Sequence, residues 1–65
     1  MLKELYGKHI TIITVDNKIF HGVVDDYIFP EDNDDNKESI ILATSKSEFI
    51  EFEESEIANI IISQL

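Results

Sequence analysis

The sequence predicts a small all-β domain in which five antiparallel strands curl into a barrel behind a short N-terminal helix. Three observations carry that expectation. β-Branched residues dominate residues 8–15, and isoleucine runs recur in the short stretches 39–44 and 57–63. Turn-forming residues separate these runs, as Asp16-Asn17 and Ser45-Lys46-Ser47 do. Finally, Ile12-Ile13, Ile40-Ile41 and Ile60-Ile61-Ile62 place apolar side chains on both faces of their strands. Side chains alternate across a strand, so a flat sheet with one core cannot bury them all; the sheet must bend strongly or meet a second apolar surface.

The elements follow in order. Leu2, Leu5 and Tyr6 stand at helical spacing before Gly7, which suits a short lid helix over residues 2–6 ended by a glycine. A first strand over residues 8–15 turns at Asp16-Asn17, read as a two-residue hairpin loop, into a second strand over 18–27. Gly22 inside that second strand marks a bend, a bulge or a close backbone approach. Residues 29–38 hold the only proline and a dense run of acids and amides without apolar periodicity, so they form an exposed loop. A third strand over 39–44 and a fourth over 48–53 flank the second turn. In the fourth, Ile50 and Phe52 alternate with Phe49, Glu51 and Glu53, which makes Ile50 and Phe52 core-facing and leaves Phe49 on the outer face. Glu54-Ser55-Glu56 links to the last strand, 57–63. The lid helix is one candidate cover for the second apolar face, and another subunit paired with the last strand is the other.

Sixty-five residues form one domain, 1–65, close to the lower size limit for burying a sufficient core. Without cysteine there is no disulfide framework and no thiolate metal site. A net charge of −9, with five lysines and no arginine, accompanies a hydrophobic fraction of 43%, so the chain reads as a folded domain with an acidic surface and not as an acidic tail. That charge repels phosphate backbones, and the missing arginines remove the best bidentate phosphate ligand. With no apolar run near 18 residues and no leader pattern, the expectation is a cytoplasmic protein with no membrane partner.

Leu5-Tyr6-Gly7-Lys8 before a β-branched strand, the hairpin at Asp16-Asn17, and Phe20-His21-Gly22-Val23-Val24 ending at Tyr27 resemble the Sm and Sm-like family, whose first motif has the same glycine and aromatic spacing. The order of helix, five strands, a variable loop after the second strand and a short link between the fourth and fifth is similar over nearly the whole chain. The resemblance implies an SH3-like (Sm-like) barrel. In RNA-binding members an aspartate and a methionine-asparagine pair follow the second-strand aromatic; those positions are Ile28 and Glu31-Asp32 here. The second motif, aliphatic-Arg-Gly-polar-Asn-aliphatic, falls on Phe52-Glu53-Glu54-Ser55-Glu56-Ile57, with Glu53 and Glu54 where arginine and glycine belong. Ile28, Glu31, Asp32, Glu53 and Glu54 are thus the ligand-facing loop positions implied by the family. Ile28 and Glu31-Asp32 lack the first half of the site, and the glutamates at 53 and 54 reverse the charge where a phosphate and base would approach, so the family's RNA binding carries over at no residue.

Other constellations are weaker. Asp32-Asn33-Asp34-Asp35-Asn36-Lys37 begins like an EF-hand calcium loop, but Lys37 replaces the obligatory glycine and Ala43 the bidentate glutamate, which favours a solvated loop. With a two-residue first turn, His9 and His21 lie on opposite faces, which disfavours a shared metal or acid-base site. No nucleophile setting or glycine-rich phosphate loop is present, so no catalytic residues, metal or cofactor are expected. Glu48, Glu51, Glu53, Glu54 and Glu56 form an acidic series that serves solubility or captures a basic partner.

The expectation for function is a non-catalytic interaction or assembly module, acting as a homo-oligomer or on a protein partner through its edge strands. The candidate interface is Ile57, Ile60, Ile61 and Ile62 on one side and Phe49 and Ile50 on the other. A degenerate RNA-binding Sm-like protein and an acidic decoy for a basic protein are the alternatives.

Overall fold

The computed structural model describes residues 2–63. Five strands, β1 (His9–Thr14), β2 (Ile19–Ile28), β3 (Ser39–Thr44), β4 (Phe49–Glu53) and β5 (Ile57–Ile62), form one antiparallel sheet in the order β4-β3-β2-β1-β5. The sheet is not closed: β4 and β5 end it, so the expected barrel is present as an open sheet with two edges. The N-terminal segment is a single 3-10 turn, Leu2–Leu5, shorter than the expected helix, and Gly7 leaves it with φ of 80°. That left-handed conformation suits glycine, which carries no Cβ to clash with its own carbonyl.

The inward faces of the strands meet the N-terminal turn in one core. Ile10 and Ile12 of β1, Val24 of β2, Ile40 and Leu42 of β3 and Phe52 of β4 are buried together with Leu2 and Leu5. The lid therefore packs on the core side, where its leucines complete the cluster, and does not cover the outer face. Gly7 and Lys8 dock it by backbone hydrogen bonds with Val24, at 2.9 and 3.0 Å. Phe20 and Phe52 touch across β3 with ring centroids 5.1 Å apart, drawing β2 and β4 together on the inner side.

Two irregularities let the sheet fold over. Between Val24 and Asp26 the β2–β3 register shifts, leaving Asp25 as the extra residue of a bulge, and a second shift separates Ile13 and Thr14 on the β1–β5 side. Gly22 lies against the backbone of Ala43, as its place inside a strand suggested.

The first hairpin differs from the expected one by a residue. Thr14 pairs with Lys18, donating its N–H to the Lys18 carbonyl at 2.9 Å, so the loop is Val15-Asp16-Asn17 with Asn17 at φ 67°. The second hairpin repeats this geometry: Thr44 donates to the Glu48 carbonyl at 2.8 Å and Ser47 takes φ 64°. A three-residue loop ending in a left-handed residue is a standard hairpin connection, and Asp-Asn satisfies it as readily as a two-residue turn. The extra residue moves Thr11 opposite His21 and His9 opposite Val23. His9 and His21 therefore share the outer face, contrary to the two-residue reading.

Candidate functional site

Alternation decides what the edge strands expose. In β4, Phe52 points inward and is buried, Ile50 packs beside it, and Phe49 points outward and is 68% exposed. In β5 the bulge sets Ile57 opposite Thr14 and Ile60 opposite Ile12, so both side chains pack against the core, while Ile61 is 53% and Ile62 43% exposed. The six candidate interface residues thus divide: Ile50, Ile57 and Ile60 support the core, and Phe49, Ile61 and Ile62 face solvent.

The outer face joins these edges. Cross-strand pairing lines up His9, Val23, Ala43 and Phe49 in one row from β1 to β4. The neighbouring row holds Ile61, Thr11 and His21, where Thr11 Oγ1 and His21 Nδ1 are 2.8 Å apart. Exposed Ile19 extends the apolar surface at the hairpin end. Although the two histidines share this face, no group of three or more His, Asp or Glu side chains among the described residues is placed to hold a metal ion.

The loop positions expected from the Sm-like resemblance lie at the opposite end of β2–β3–β4. Ile28 and Glu53 both flank Ser39, and the Glu54 N–H donates to the Glu38 carbonyl at 3.1 Å. Glu31 and Asp32 are exposed on a 3-10 turn, Pro30–Asp32. The acidic loop is exposed but tied down. Tyr27 OH and the Leu2 N–H donate to Glu38 Oε1 at 2.9 and 3.2 Å, and Asn33 Nδ2 donates to the Lys37 carbonyl and the Ser39 hydroxyl. Ser39 in turn donates to Glu51 at 2.8 Å. The Asp35 and Glu53 carboxyl groups are hydrogen-bonded to each other, which holds Asp35 below its ordinary pKa and pushes Glu53 above its own. Lys37 offsets the Asp35 and Glu53 carboxylates in part, and Glu31, Asp32, Asp34, Glu54 and Glu56 add further negative charge, so this end attracts cations and repels anions.

A third feature was not visible in the sequence, because three separate stretches of chain build it. Between the first hairpin loop and β4 lies a cleft of about 370 Å³. Phe20, Ile50 and Phe52 form its apolar part, and Asp16, Lys18 and Glu56 stand around it. Asp16 accepts a hydrogen bond from the Thr14 hydroxyl and lies 3.8 Å from Lys18 Nζ; the Thr14 contact foremost keeps its carboxyl below the usual aspartate range, hence ionised at neutral pH.

No helix among the described residues is long and apolar enough to cross a membrane. Comparison with family models, curated proteins and solved structures finds no match to this chain, so its function has to be read from its own residues.

Proposed function

We propose that this chain is a non-catalytic, Sm-like interaction module that assembles with copies of itself through its two edge strands. The observation that carries this reading is the open sheet: β4 and β5 each have a strand neighbour on one side only, and each carries exposed apolar side chains. Unpaired edges with apolar neighbours are templates for strand addition. The edges differ, Phe49 marking one and Ile61 and Ile62 the other, so the fitting contact is head-to-tail, β4 of one copy against β5 of the next. Such heterologous contacts close into rings when the rotation allows it. The Sm-like order of motifs supports the same reading.

Like charge opposes this association. At −9 per chain, copies repel at low ionic strength, and salt that shortens the Debye length to about 10 Å at 0.1 M relieves the repulsion. The testing measurement is absolute solution mass by light scattering at low and moderate salt. A mass that is a multiple of the monomer and grows with salt is expected. A monomer under all conditions overturns the reading. RNA binding would respond oppositely, weakening with salt, and it has only carboxylates at Glu53 and Glu54 to work with.

A further inference from the structure

We propose that the cleft between the first hairpin loop and β4 receives a lysine or arginine side chain from a basic segment of a partner protein. The argument starts from the floor. Phe20 is half-buried, lies 5.1 Å from Phe52 ring to ring, and is flanked by half-buried Ile50. An aromatic and aliphatic floor of this kind takes up the methylene stem of a long cationic side chain, and a ring face attracts the cation itself. A volume of about 370 Å³ accommodates one such side chain and is too small for a folded element.

Charge selects among long side chains. Three acidic residues, Asp16, Glu51 and Glu56, line the cleft beside one lysine, and that lysine is already paired with Asp16. The Glu51 carboxylate is drawn to Ser39, which leaves Asp16 and Glu56 as the groups a cation would meet. Glu56 is held in place by accepting the Glu53 N–H at 2.8 Å, and Asp16 by Thr14, so both carboxylates are positioned before a ligand arrives. Preorganised groups lose little entropy on binding. The chain's overall charge of −9 adds long-range attraction for a basic partner. A neutral or acidic segment, the chain's own acidic loop included, has no electrostatic reason to enter.

The site belongs to the inner side of the hairpin and does not rest on self-assembly. The test uses the full chain, isotope-labelled, titrated with two blocked pentapeptides that differ only in a central arginine or glutamine, with the solution mass recorded in parallel. Expected are amide shifts centred on residues 14–20, 50–52 and 56 for the arginine peptide alone. Affinity should fall about threefold or more between 20 and 200 mM salt. Glu56→Gln should weaken binding about threefold, and Lys18→Gln, which removes the competing cation, should tighten it by a similar factor. Phe20→Leu, which keeps an apolar floor without the ring, should weaken it about threefold as well. Shifts spread evenly over the acidic loop 29–38 would mean diffuse charge attraction and overturn the site, as would equal response to both peptides or no response. Each variant is compared at equal melting temperature; if Phe20→Leu does not fold, the opposite signs at Glu56 and Lys18 decide the matter. A changed mass with no shift at the cleft would overturn the cationic site and leave self-assembly standing.

Discussion

Gly22 and Ala43 are in backbone contact: a Cβ at position 22 would overlap the Ala43 carbonyl oxygen and come within 2.9 Å of its carbon. β2 and β3 approach there because the sheet folds over its core, and neither strand can retreat without breaking the ladder that pairs Gly22 with Thr44 and Val23 with Ala43. Gly22→Ala should therefore cost about 3 kcal/mol, the upper end of overpacking penalties. A domain of this length has about 3–10 kcal/mol in total. Urea unfolding followed by circular dichroism should show the midpoint clearly lowered, and a wild-type midpoint would refute the close approach.

The two hairpins predict opposite responses at equivalent places. Asn17 and Ser47 both hold left-handed backbone, at φ 67° and 64°, but asparagine tolerates that region better than serine. Ser47→Gly should stabilise by about 0.5 kcal/mol, the relief of strain exceeding the added freedom of the unfolded chain. That corresponds to a melting temperature higher by about 2–4 °C. Asn17→Ala should lose about 1 kcal/mol. Thermal melts at one pH check both signs.

These loops also show where the sequence was legible and where it was not. Period-two alternation correctly sends Ile50 and Phe52 inward and Phe49 outward, and an interior glycine correctly marks a close approach at position 22. Local chemistry does not determine loop length, since Asp16-Asn17 fits a two- or a three-residue turn; the one-residue difference decides that His9 and His21 share a face. Whether β4 meets β5 is a long-range property of curvature, and the cleft at Phe20 needs Asp16, Ile50 and Glu56 to converge from distant positions. No short window of sequence contains either.

The Asp35–Glu53 pair predicts a pH response. Glu53 is raised above 4.5, first by its hydrogen bond to Asp35 and then by desolvation and by the charges of Asp35 and Glu56, against which Lys37 acts. A raised folded pKa contributes stability that is present at low pH and lost as pH rises through that value. Asp35 is lowered from 3.8, so its contribution is present above 3.8 and lost as pH falls through its folded pKa. The pair is most favourable between the two, with one proton held. Glu53→Gln mimics that state and keeps an oxygen for the cap, so it should melt higher than wild type at pH 7, and the gap should close as wild-type Glu53 takes up its proton. A gap independent of pH from 7 to 4 would remove the pair as its cause.

Ile61 separates assembly from folding. It is 53% exposed on the outer face of an edge strand, opposite Thr11, while its neighbour Ile60 packs against the core. Ile61→Lys should leave the stability of the single chain within about 0.5 kcal/mol, because an exposed substitution breaks no buried contact. At a subunit interface the same change buries an unpaired ammonium, which is strongly unfavourable. Light scattering should then give the monomer mass where wild type gives a multiple, with an unchanged monomer melting curve. Ile60→Lys should instead lower the melting temperature of the chain itself, since its side chain is part of the packing that holds β5 to β1. If Ile61→Lys assembles like wild type, the β5 edge is not the contact, and Phe49→Lys applies the same test to β4.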